Sequence, residues 1–114
     1  DEDWNVCAVR QKTVIKSVRR GPQALLFSAE WCKPCGPRKK AVEKAVVPLG
    51  WSYGDQEDAD FRVVDIDKQP DLMRIYSIEV VPTIVYVDSG GKEYDRIVGA
   101  QSSRLLTTPL LKKR

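Results

Sequence analysis

The residues best equipped for chemistry are the two cysteines of Trp31-Cys32-Lys33-Pro34-Cys35. Cysteines two residues apart can close a small disulfide loop or share a metal. The setting separates these readings. An apolar run, Ala24 to Phe27, precedes the motif, and a helical pattern starts at Cys35. A strand, a turn and then a helix put Cys32 at a helix N-terminus. There the unpaired N–H groups and the helix dipole favour an anion, so the thiolate is stabilised. The thiolate is the nucleophile of disulfide exchange, and Cys35 is placed to resolve the mixed disulfide. A C-x-x-C beside a strand–helix unit therefore reads as redox before metal.

The elements that must position this motif follow in order. Asp1 to Asn5 is acidic and expected to fray. Trp4, Val6 and Ala8 alternate with Asn5, Cys7 and Val9, which permits a short strand. Val14, Ile15 and Val18 share one face of a helix expected over about residues 9–19, which Gly21-Pro22 stops. Ala24 to Ala29 is a buried strand. Cys35 to Val47 is a helix, with Ala41, Val42, Ala45 and Val46 apolar and Arg38, Lys39, Lys40, Glu43 and Lys44 mostly solvated. Pro37 fits its first turn, and Pro48 and Gly50 end it. Gly50 to Asp60 reads as an acidic loop insertion whose Trp51 and Tyr53 either mark a partner surface or fold back onto the core edge. Phe61 to Ile66 is a second central strand. Asp67 is a candidate N-cap for a short helix carrying Leu72, Met73, Ile75 and Tyr76. Thr83 to Val87 and Glu93 to Val98 form a hairpin through Asp88-Ser89-Gly90-Gly91. Ser102 or Ser103 can cap a last helix through Leu105 and Leu106. This order gives an α/β chain, with a mixed sheet covered by helices on both faces.

Three segments carry a family resemblance. Ala29-Glu30-Trp31-Cys32-x-Pro34-Cys35 resembles the active-site signature of the thioredoxins. Val80-Val81-Pro82-Thr83 resembles that family's cis-proline segment, and Val98-Gly99-Ala100 its third substrate-facing loop. They occur in the family's order and span roughly residues 11–108. The resemblance implies a thioredoxin fold in a single domain over residues 1–114. It implies dithiol–disulfide exchange, with Cys32 attacking a protein disulfide and Cys35 resolving it. The redox-active disulfide would then be Cys32–Cys35, with no other cofactor and no metal. Trp31 would form an apolar wall. Pro82 would be cis, holding Val81 extended so that its backbone can pair with a bound peptide. Gly99 and Ala100 complete the groove, with Gly99 allowing close backbone approach. Lys33 and Pro34 would modulate the Cys32 pKa. The implied partners are protein disulfides and a thiol–disulfide recycling partner, with the chain a monomer.

The sequence also departs from the family. Thioredoxins usually carry a buried Asp at the position of Leu26 and a Lys facing it at the position of Val63. Both are apolar here, and the losses are coherent: either charge alone would be an unpaired buried ion. Water or Glu30 would then have to manage the Cys35 proton. Lys33 replaces the usual Gly. A cation beside Cys32 should favour its thiolate and make the disulfide more oxidising, unless Lys33 is simply solvated. The proline that often kinks the helix at the position of Lys40 is absent, so a straighter or shorter helix is expected.

The totals fit these readings. The chain has 114 residues, enough for one domain with a modest core. Its net charge of +3 is too small to indicate nucleic acid. No apolar run approaches the ~20 residues of a membrane span. The chain opens at Asp1 rather than Met, so an export signal is neither shown nor excluded, and the compartment stays open between cytoplasmic and extracytoplasmic. The absence of histidine excludes Ser-His and Cys-His catalytic pairs. There are three cysteines. If Cys32 pairs with Cys35, Cys7 is left alone, either as a half-buried small apolar residue or as a regulatory or intermolecular thiol. Two further readings differ in class. One is a thioredoxin-fold binding module whose surface (Trp31, Trp51, the Val81-Pro82 loop) matters more than turnover. The other is a metal or iron–sulfur site shared between two chains.

Overall fold

The computed structural model describes residues 7–8, 22–88, 90 and 92–99. The helix expected over 9–19, the fraying N-terminus and the helix expected after Ser102 lie outside the described residues. The strands are β1 (Cys7–Ala8), β2 (Gln23–Ser28), β3 (Tyr53–Gly54), β4 (Phe61–Asp65), β5 (Val80–Val81), β6 (Thr83–Val87) and β7 (Glu93–Val98). The helices are α1 (Cys35–Val46), continued by a 3₁₀ turn at Val47–Leu49, and α2 (Pro70–Ile75).

Five strands form one sheet in the order β3-β4-β2-β6-β7. β2 runs parallel to β4 and antiparallel to β6, so the sheet is mixed. β2 is central because its side chains are buried on both faces. Their alternation divides the core. Ala24 and Leu26 point to the side holding Val42 and Val46 of α1, together with Trp51, Phe61, Ile84 and Tyr86. Leu25 and Phe27 point to the other side, with Leu72, Met73 and Tyr76 at α2 and with Val64, Val85 and Val87. Helices therefore cover both faces, as the element order implies. β7 is an edge strand and carries Glu93, Asp95 and Arg96, charges that discourage further strand pairing.

Several local expectations need correction. Arg38 is buried, at 5% exposure, rather than solvated. Its guanidinium lies near the buried Tyr86, and burial lowers its pKa. The same burial pushes the Tyr86 phenol far above its ordinary value. Trp51 is also buried, inside the α1-side cluster, and so marks no partner surface. Tyr53 is half-buried and its hydroxyl donates to the Lys39 carbonyl (3.0 Å). The acidic loop is pinned at its base by reciprocal bonds: Ser52 N–H to Asp60 Oδ2 (3.0 Å) and Asp60 N–H to Ser52 Oγ (2.8 Å). Buried Gln23 adds two bonds from Nε2, to the carbonyls of Glu57 and Ala59, both 2.8 Å. Local polarity suggested an open loop, but these bonds satisfy its backbone while the indole is drawn inward. Asp67 does not cap α2. The N-cap is Gln69, without a side-chain cap bond. Gly50 ends the 3₁₀ turn in the left-handed region (φ +87), which glycine adopts without a Cβ clash.

Candidate functional site

The motif sits where β2 runs into α1. After Ser28 the chain turns, with the Cys32 N–H bonded to the Ala29 carbonyl (3.2 Å) and the Cys35 N–H to the Cys32 carbonyl (3.1 Å). Cys35 is the first helical residue and Pro34 occupies the cap position. Cys32 and Cys35 are 3% and 1% exposed, while Lys33 extends into solvent. Burial pushes the Cys35 thiol pKa up. A backbone hydrogen bond from the Ala29 region and the positive charge of Lys39 oppose this only partly.

The downstream segments converge on Cys32. The Val81–Pro82 peptide bond is cis. Cys32 Sγ lies 3.5 Å from the Val81 carbonyl oxygen. Thr83 Oγ1 donates to the Val80 carbonyl (2.7 Å), fixing β5 from behind. Gly99 takes φ +80 and its N–H donates to the Pro82 carbonyl (2.9 Å). Cys32, Val81, Pro82 and Gly99 are thereby linked into one site, and Ala100 lies outside the described residues. Trp31 is 54% exposed and its Nε1–H donates to Asp67 Oδ2 (3.0 Å). The Asp67 N–H is bonded in turn to Asp65 Oδ1 (2.9 Å). Asp67 thus anchors the indole instead of capping a helix. Leu26 is fully buried and sits opposite Val63 in the β2–β4 register, with half-buried Val63 packed against the same cluster. Glu30 is exposed.

The disulfide differs from the expected one. Cys32 is bonded to Cys7, with Cα atoms 5.9 Å apart, and Cys35 is a free, buried thiol. The expected Cys32–Cys35 disulfide is therefore absent here, and Cys7 is more than a half-buried apolar residue. The physical reason is strand pairing. β1 pairs antiparallel with β5, placing Cys7 opposite Val81, the residue whose carbonyl meets Cys32 Sγ. In this disulfide Cys32 has no proton to give that carbonyl; on reduction its thiol can donate there. The only signal in the sequence was an odd third cysteine in an alternating stretch. Among the described residues, no group of three His, Cys, Asp or Glu side chains is placed to hold a metal. No helix among them is long and apolar enough to cross a membrane.

A mixed five-stranded sheet with flanking helices, a strand–turn–helix dithiol and a cis-proline against the first cysteine define a class, the thioredoxin-fold proteins. Solved structures agree. A thioredoxin from Nicotiana alata, NaTrxh, aligns with 26% identity and a TM-score of 0.67, covering 83% of this chain and 75% of that one. The oxidised mitochondrial thioredoxin 3 of Saccharomyces cerevisiae matches in fold, with a TM-score of 0.63, 22% identity and coverage of 82% and 79%. The Thioredoxin family model matches residues 6–111. Thioredoxin H2 of Arabidopsis thaliana is 35% identical over 79 residues, which is 69% of this chain and 53% of that protein. Thioredoxin H7 of the same plant is 33% identical over 97 residues, 83% of this chain and 69% of that protein. The chain belongs to the thioredoxin family. It spans about half the length of the first of these relatives.

Proposed function

We propose that this chain is a protein-disulfide oxidoreductase. Cys32 is the nucleophile: its thiolate attacks one sulfur of a substrate disulfide, forming a mixed disulfide and releasing the other substrate sulfur as a thiolate. Cys35 then attacks Cys32, releases the second substrate thiolate and leaves a Cys32–Cys35 disulfide. A thiol–disulfide recycling partner restores the dithiol. The observation that carries this reading is the position of Cys32 Sγ against the Val81 carbonyl, beside cis-Pro82 at the start of α1. A substrate peptide would lie extended along β5 and exchange backbone bonds with Val81. Gly99 and Ala100 would flank it, and Trp31, anchored by Asp67, would wall its other side. Pro34 would shape the turn between the two cysteines, while Lys33, exposed to solvent, would be screened and add little to the Cys32 thiolate. The chain would act as a monomer and as one domain. No side chain here supplies an internal carboxylate at Leu26, so the Cys35 proton would leave to water.

The test is reduction of a peptide disulfide by wild-type protein, Cys32→Ser and Cys35→Ser, with a chemical dithiol as recycler. The expected result is loss of turnover in Cys32→Ser and a trapped mixed disulfide in Cys35→Ser. Equal turnover in all three proteins would refute the assignment. The binding-module alternative is weakened by the burial of Trp51, one of its surface residues.

A further inference from the structure

β1 lies where a substrate would lie. It pairs antiparallel with β5 in the register Cys7↔Val81 and Ala8↔Val80. Its cysteine is covalently joined to the nucleophile of the proposed reaction. A bound peptide and β1 cannot share one strand edge, because each N–H and C=O along β5 has one set of partners to give. Cys35 is the alternative partner of Cys32, yet it stands aside as a thiol.

We propose that Cys7 is a third redox cysteine of this site: its thiolate attacks the Cys32 sulfur of the Cys32–Cys35 disulfide, and the oxidised protein rests as Cys7–Cys32 with β1 laid along the peptide edge. This rests on the oxidoreductase reading above. The step is an exchange with no net oxidation. The Cys7–Cys32 bond forms, the Cys32–Cys35 bond breaks, and the electron pair leaves on Cys35 Sγ. Cys35 takes up one proton in place of the one Cys7 gave up. The site fits each part of this exchange. Product release frees the β5 edge, so β1 can dock only after turnover. Cys35 is 1% exposed, and burial favours its neutral thiol, which holds back the return attack on Cys32. Cys7 is half-buried while Cys32 is 3% exposed, so a recycling dithiol meets Cys7 more readily. Its attack there would release the Cys32 thiolate and reopen the edge. The resting oxidised protein is thus closed to substrate and is opened by its reductant.

The experiment uses full-length wild-type protein, Cys7→Ser and Cys35→Ser. Each is reduced, mixed with a peptide disulfide, quenched over a time course by acid and alkylation, and digested without reduction for mass mapping. In wild type the Cys32–Cys35 linkage should appear first and the Cys7–Cys32 linkage should replace it as the larger share. Cys7→Ser should stop at Cys32–Cys35. Cys35→Ser should hold the peptide as a mixed disulfide on Cys32, because β1 docks only once the peptide has left the β5 edge. If wild type holds only Cys32–Cys35 and Cys7 is fully alkylated, the proposal is overturned while the oxidoreductase reading stands. If no protein reduces the peptide and no internal disulfide appears, both fail.

Discussion

Leu26→Asp tests the physical account of this site most directly, because it restores one of two charges without the other. Leu26 is fully buried among Val42, Val46, Phe61, Ile84 and Tyr86. Removing the leucine side chain from that cluster forfeits about 2–3 kcal/mol of apolar burial. An unsatisfied neutral carboxyl adds about 1–3 kcal/mol. Ionising it there costs more. If burial raises its pKa by about three units from an unfolded value of ~3.9, the charged form loses about 4 kcal/mol at ~1.4 kcal/mol per unit. The carboxyl is neutral in both states below pH ~3.9, so this last cost is absent there. As pH rises the unfolded chain ionises first, and stability falls until the folded pKa is passed. Leu26→Asn provides the control without a charge. The measurement is urea unfolding of both variants between pH 4 and 8. The Asp–Asn difference should be near zero at the acid end and reach about 4 kcal/mol at the plateau. Adding Val63→Lys, opposite in register, should recover part of it. A difference that stays flat with pH would refute the argument, since the site would then be wet or already supplied with a partner for the charge.

Three further outcomes are expected. Arg96 donates from Nη2 to the Tyr76 carbonyl (2.6 Å) and from Nε and Nη2 to Glu93 (both 2.7 Å), tying β7 to the C-terminal end of α2. Arg96→Met should lower stability by about 1–2 kcal/mol in urea unfolding, and Arg96→Lys should recover less than half, lacking the planar fork. In a Cys7→Ser, Cys32→Ser protein, the alkylation rate of Cys35 against pH should have its midpoint above the free-thiol value of ~8.5. Because its folded pKa is raised, the stability contributed by the buried thiol is complete below that value and is lost as pH rises above it; a midpoint at or below ~8.5 would contradict the burial. Trp31→Phe keeps an aromatic wall but loses the bond to Asp67. Stability should change by less than about 1 kcal/mol, because the pair is exposed, while KM for a peptide disulfide rises several-fold with kcat nearly kept.

The sequence by itself determined the central strands, α1 and the dithiol. β-branched and apolar runs specified β2, β4 and β6, and the 3.6-residue repeat placed Val42 and Val46 on one side of α1, because both periods are local properties of the backbone. The Cys-x-x-Cys spacing at a strand–helix junction was legible for the same reason, as was the cis-proline segment through its likeness to a known family. Tertiary structure alone decided which groups meet. Trp51 lies in a polar stretch and is buried because the loop closes over it through Ser52, Asp60 and Gln23. Arg38 sits among solvated lysines of α1, yet the helix rotation turns it inward toward Tyr86. Asp67 serves the Trp31 indole across 36 residues of chain. Cys7 and Cys32 are 25 residues apart. Nothing in the spacing pairs them, since their encounter depends on β1 pairing with β5, whose Val81 carbonyl lies beside Cys32.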